Sequence, residues 1–427
     1  MAFSPHFMQD AAWYLPRMQG LIYSSTARIL GMTTNRDVQS HQAEKPMEKK
    51  YTLERSLLKR GDIILTAENT WISKGVRVGT ASRYSHASIW VEGTLIEAVQ
   101  AGVFSKNPQR IILDKPSHCV VLRSRKPLSE QEIDQICLYA HTQIGSLYAL
   151  DEATLALPRR FMKLESTKKQ FCSRLVALAY AQVGYDFINL GSPHYCTPGK
   201  LARTKAFERV PGVVREALPG EVEFAKTHDP IKKNAEDTFE WLAKVRALVK
   251  SNPKLNATFD IQTVNDVGDL LVKQPELDEI VVGFLRENDY LTYYNHDMKV
   301  NPYRYNPDWM TFELRGAPDP AGFIQTELKK EYSLAKRHSQ NIDNTIQNYL
   351  STGLSFVMEH LKLYQNLMNG VWVRLNHIAI ASEAVGMAEV ANRARELMSE
   401  IKGPMERGMR VIENRQLGMP AKMALSV

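Results

Sequence analysis

Residues 84–99 read Tyr84-Ser85-His86-Ala87-Ser88-Ile89-Trp90-Val91-Glu92-Gly93-Thr94-Leu95-Ile96-Glu97-Ala98-Val99, and this stretch decides how the first half of the chain folds. Ala87–Val91 is an apolar run and Thr94–Val99 is a second, the two separated only by Glu92-Gly93. Runs of this length and composition, split by a glycine turn, predict two antiparallel neighbouring strands. His86 opens the first strand and Glu97 lies on the second, so the pair can meet across it once the register is set.

Working outward, Asp62-Ile63-Ile64-Leu65 after Arg60-Gly61 and the segment 118–123 (HCVVLR) supply two more strand candidates. A helix is expected from Ser129 to about Ile144, because Ile133, Ile136, Cys137, Ala140 and Ile144 share one face. Ser129-Glu130-Gln131-Glu132 at its start has a capping-box pattern. A second helix is expected from about Cys172 to Val183, with Leu175, Val176, Ala179, Tyr180 and Val183 on its apolar side and Gly184 as its stop. Strands and helices mix without regular alternation, which indicates an α+β unit rather than a doubly wound sheet.

The chain has 427 residues, 44% hydrophobic and 24% charged, enough for two or three domains and too apolar to be largely disordered. No run of about 18 apolar residues predicts a spanning helix. The N-terminal stretch has no basic segment ahead of an apolar core, so no secretory signal peptide is expected. The four cysteines (Cys119, Cys137, Cys172 and Cys196) include no CxxC pair, which fits free thiols in a reducing compartment. The net charge of +7 is uneven: residues 1–210 carry +10 and the rest −3. A basic surface attracts nucleic acid, anionic lipid or acidic glycans without choosing among them. The spacing of basic and aromatic residues fits no nucleic-acid module, and no nucleic-acid partner is expected.

Three segments are expected: a helical arm around Trp13–Leu30 with a polar tether over residues 1–50, an α+β domain over 51–212, and an α-helical domain over 213–427. Pro211-Gly212, Pro219-Gly220 and Pro230 punctuate the join. Pro302, Pro307, Pro318 and Pro320, among Tyr303, Tyr305 and Trp309, mark an irregular island near residues 295–322. Beyond it, Ile342, Ile346, Tyr349, Val357, Leu361, Tyr364, Met368 and Val371 recur at helical spacings, and the pattern resumes through Leu375, Ile378, Leu397 and Ile401. That texture predicts two long helices packed as a hairpin or bundle, with Gly353, Gly370 and Gly386 arguing against one unbroken coiled coil.

The chemistry gathers on His86, Glu97 and the segment Gln170-Phe171-Cys172-Ser173-Arg174-Leu175-Val176. A thiolate is the nucleophilic form of cysteine, and a helix N-terminus together with a nearby imidazolium stabilises it. The imidazole then protonates the leaving group, while a carboxylate on its other nitrogen fixes ring orientation and tautomer. Backbone N–H groups at the start of the Cys172 helix can form an oxyanion hole. Cys137 and His141 stand i, i+4 on one helix, a possible ligand spacing, but Cys137 falls on the apolar face and reads as core. No GxSxG, HExxH, Walker loop or GxGxxG is present.

Taken in order, the segments around His86, Glu97 and Cys172 resemble the permuted papain-like hydrolases, the circularly permuted branch of the NlpC-type amidases that includes YiiX-like proteins. The lecithin:retinol acyltransferase group is a more distant relative. Lys59-Arg60-Gly61-Asp62-Ile63-Ile64 and Thr197-Pro198-Gly199-Lys200-Leu201 support the resemblance, which covers roughly residues 51–210. It implies a papain-like antiparallel sheet with packed helices, Cys172 as nucleophile, His86 as general base and acid, and Glu97 as the orienting residue. It also implies Tyr84 and the start of the Cys172 helix, with Ser173, on the oxyanion side. No metal or cofactor is implied.

The function expected is amide or ester acyl transfer through Cys172, with a peptide or lipid acyl substrate. A cell-wall peptide amidase or a secreted effector comes first. A phospholipid acylhydrolase or acyltransferase drawn to an anionic membrane surface is the alternative, and a non-catalytic scaffold is the second. The helical domain is expected to serve delivery, partner binding or substrate access. The location expected is cytoplasmic, or outside the cell by a specialised secretion system.

Overall fold

The computed structural model describes residues 48–67, 82–91, 93–149, 168, 170–185 and 192–418. The helical arm expected around Trp13–Leu30 lies outside them. The described residues divide into two compact units, one ending at Asp229 and the other beginning at Pro230.

The first unit is α+β. Its strands are β1 (Tyr51–Leu53), β2 (Ile63–Thr66), β3 (His86–Trp90), β4 (Leu95–Val99), β5 (Gly102–Lys106), β6 (Cys119–Ser124), β7 (Phe207–Arg209) and β8 (Val214–Glu216). Six form one antiparallel sheet in the order β5-β4-β3-β2-β6-β7, while β1 and β8 form a separate antiparallel pair. Gly93 makes the β3–β4 turn at φ +81°, and the Val91 N–H closes it on the Thr94 carbonyl at 3.1 Å. Every residue of β3 is buried, so both faces of the strand are covered, with His86 and Ser88 on one face and Ala87 and Ile89 on the other.

The helices of this unit are α1 (Glu130–Thr142), α2 (Cys172–Ala181), α3 (Pro198–Arg203) and α4 (Pro219–Lys226). The capping box at α1 is formed in both directions: Ser129 Oγ accepts from the Glu132 N–H, and Glu132 Oε2 accepts from the Ser129 N–H at 2.8 Å. Helix α2 stops where Gly184 takes φ +64° and the Tyr185 N–H turns back to the Tyr180 carbonyl. Two bonds tie that end to the sheet. Tyr180 donates its hydroxyl to the Gly61 carbonyl at 2.7 Å, and the Gly61 N–H, at φ +86°, bonds the Trp90 carbonyl. Asp62, fully buried beside it, accepts from the Lys59 N–H and from the Arg123 guanidinium.

The segment after Gly212 belongs with the first unit, so the boundary at 212/213 moves to Asp229/Pro230. The physical reason is plain: β8 completes a pair with β1, and Pro219 starts α4 rather than a linker. The Arg110 guanidinium then covers the Phe224 ring at 4.9 Å and donates to carbonyls at the end of α4.

The second unit is helical throughout its described length. Helices α5 (Pro230–Ser251), α6 (Pro253–Thr258), α7 (Val264–Lys273), α8 (Asp278–Arg286), α9 (Asn295–Val300) and α10 (Pro307–Gly316) lead into three long ones. These are α11 (Pro320–Thr352), α12 (Ser355–Ala384) and α13 (Ala388–Gln416), three where two were expected. Gly353 and Gly386, both left-handed, sit at the two turns between them, whereas Gly370 lies inside α12. The expected irregular island is largely helical. Pro307 and Pro320 are first-turn prolines behind the caps Asn306 and Asp319, and Pro302 begins a 3-10 turn over Pro302–Tyr305. Among the described residues no helix is long and apolar enough to cross a membrane.

Candidate active site

The register places the cluster. Glu97 on β4 stands opposite Ser88, so His86 lies one diagonal step away on the same face of the sheet. A histidine and a glutamate span that diagonal, and His86 Nε2 meets Glu97 Oε2 at 2.8 Å with both side chains buried. An ionised carboxylate only accepts, so Nε2 carries the proton and donates it. Nδ1 is then left free of Glu97, and the Cys172 side chain lies near enough to the imidazole to favour its charged form.

Cys172 is the first residue of α2, and Phe171 before it is extended at φ −135° with no side-chain oxygen to cap the helix. The leading N–H groups of α2 therefore lack a side-chain cap, at the end of the helix that carries its partial positive charge. Ser173 Oγ is committed elsewhere, donating to the Cys196 carbonyl at 2.8 Å, so only its backbone can serve an oxyanion. Arg174 donates Nε to the His194 carbonyl at 3.2 Å and stacks its guanidinium over Phe171. These two bonds bring the His194-Tyr195-Cys196 turn against the start of α2. Tyr84 is buried two residues before His86, its N–H on Ser82 Oγ. Among the described residues no hydrogen bond joins its hydroxyl to the cluster.

Burial opposes the charged form of His86, but the Glu97 carboxylate and the Cys172 side chain outweigh it and hold the imidazole pKa well above 6.5. Burial likewise works against ionised Glu97; Lys106 and His86 overcome it and bring that carboxyl down to about 2. The other cysteines are poor nucleophiles or core residues. Burial pushes the Cys119 and Cys196 thiols up to about 12, and Cys137 is buried on α1 beside His141. Lys106 was not foreseen in the sequence. Its Nζ lies 3.1 Å from Glu97 Oε1.

No family model and no curated protein matches this chain. The functional reading therefore stands on these residues and their geometry.

Proposed function

We propose that the first unit is a cysteine-dependent acyl hydrolase on a circularly permuted papain-like fold. The observation that carries this is the single chain of contacts from the Cys172 side chain, at an uncapped helix start, through His86 to buried Glu97. Cys172 Sγ attacks the acyl carbon and its proton passes to His86 Nδ1. The oxygen of the tetrahedral intermediate takes the N–H groups of Cys172 and Ser173. His86 returns the proton to the leaving amine or alcohol as the C–N or C–O bond breaks, which leaves a thioester on Cys172. Water, deprotonated by His86, then attacks the thioester; the acid departs and the thiol is restored. Glu97 keeps the ring oriented and the Nε2–H tautomer fixed throughout.

The test is mass analysis of Cys172 after acid-quenched incubation with muropeptide and membrane-lipid extracts in separate reactions. A peptide-acyl adduct identifies an amidase or peptidase, and a fatty-acyl adduct identifies a lipid acylhydrolase or acyltransferase. A bare thiol that alkylates no faster than a model thiol, with or without His86, would sink the catalytic reading.

A further inference from the structure

We propose that Lys106 is a positioning residue of this site, its ammonium straddling the two oxygens of Glu97 and holding the carboxylate toward His86. The inference rests on the hydrolase reading above and names a residue that reading does not require. Three strands carry it. Glu97 stands opposite Ser88 on β3 and opposite Phe104 on β5. His86 is one diagonal step from Glu97 toward one end of β4, and Lys106, opposite Leu95, is one diagonal step toward the other. The carboxylate is therefore held from both ends, by Lys106 Nζ at 3.1 Å from Oε1 and 3.5 Å from Oε2, and by His86 Nε2 on Oε2 at 2.8 Å. Lys106 reaches in from the edge strand with its side chain 34% exposed, against 4% for Glu97.

Two physical consequences follow. A buried carboxylate without a counter-charge is costly, and a carboxylate held by His86 alone can rotate away from the imidazole. Lys106 removes both faults. Charge gives the second consequence. The groups that face Glu97 are His86 from β3 and Lys106 from β5, and Cys172 from α2 reaches it through His86. Thiol, imidazole, carboxylate and ammonium sum to zero; thiolate, imidazolium, carboxylate and ammonium also sum to zero. With Lys106 the buried cluster is neutral in both states of the Cys172–His86 pair, and without it the cluster is anionic in both.

Removing the ammonium lets Glu97 take a proton at higher pH, and a protonated Glu97 no longer supports the imidazolium. The experiment is the pH profile of Cys172 alkylation by iodoacetamide in the full chain, for wild type, Lys106→Met, Lys106→Arg and His86→Ala. The expected result is an acid limb moved up by about one pH unit in Lys106→Met, a roughly tenfold slower reaction on that limb, with Lys106→Arg returned to wild type. A Lys106→Met profile that superimposes on wild type overturns the proposal, as does an arginine variant that behaves like the methionine one. Lys106→Gln takes the place of Lys106→Met should that variant not fold. His86→Ala separates the two levels: if it leaves Cys172 reactivity unchanged, the hydrolase reading itself has failed, whatever the lysine variants do.

Discussion

Each unit buries a network of charges, and the two are built to different ends. In the second unit Arg304 and Arg374 are fully buried and share Glu331, with Asp297 and Glu327 completing the set around Arg304. Tyr305 bridges it, donating to Asp297 Oδ2 and accepting from Arg374 Nη1. Charges answer charges there, as a buried ionic group must be answered to be tolerated. In the first unit the chain Lys106–Glu97–His86 ends instead on a thiol. Buried charge alone is therefore no marker of a site; the proposed function rests on the thiol at the end of this chain.

The same contrast separates two buried histidines. His360 on α12 packs against Tyr290 and Phe356, which both rest on Trp241, its Nδ1 on the Phe356 carbonyl at 2.7 Å and its Nε2 on the Tyr290 hydroxyl. Burial dominates there, outweighing the Phe356 carbonyl and the nearby Glu359 charge, and brings it down from 6.5 to about 4. His86, equally buried, goes the other way because Glu97 is there.

Breaking each network should show in a different observable. His86→Ala should cost about 10²–10⁴-fold in turnover on whichever acyl substrate is found, with global stability much less affected. Glu331→Gln should do the reverse: it leaves two buried guanidinium groups short of a counter-ion and should lower the denaturant midpoint by the equivalent of about 3–5 kcal/mol, with Cys172 alkylation unchanged. Acid should sharpen the contrast. His360 favours the folded state while neutral, so its contribution is complete above 6.5 and lost as pH falls toward about 4, about 3 kcal/mol in all. His86 contributes below 6.5 and loses that contribution as pH rises through its raised value. Imidazole proton shifts followed by NMR across that range should move in opposite senses relative to 6.5, and two histidines titrating together near 6.5 would refute the assignment. The smallest effect belongs to a site of neither kind: Ser129→Ala removes the α1 cap and should cost about 1 kcal/mol by denaturation without touching reactivity.

Much of this was legible before any coordinates. Ser129 and Glu132 announce their capping box, Gly184 its helix stop, and Gly93 the turn that brings His86 toward Glu97, because each depends on residues near in sequence. Lys106 was not legible. Its role needs the β4–β5 register, and a shift of one residue would have turned it to the other face. Strand β5 was not expected either, and β1, β7 and β8 escaped because three residues carry no periodicity. The prolines at 302, 307 and 320 looked like breakers when read together; each instead starts a helical turn, where a missing N–H costs nothing.

The β1–β8 pair has a mechanical consequence. The first unit's described chain enters through Tyr51 and passes beyond Glu216, and these two residues are partners in one antiparallel ladder. Tension applied at residues 50 and 217 would first break the Ala217 N–H bond to the Lys50 carbonyl, then peel Tyr51 from Glu216, Thr52 from Arg215 and Leu53 from Val214, one rung at a time. Tyr51 is also bonded in both directions to Leu113, which makes its rung the stiffest. In a pulling experiment this ladder should act as a fuse, yielding at low force while the six strands beneath Cys172, His86 and Glu97 stay closed.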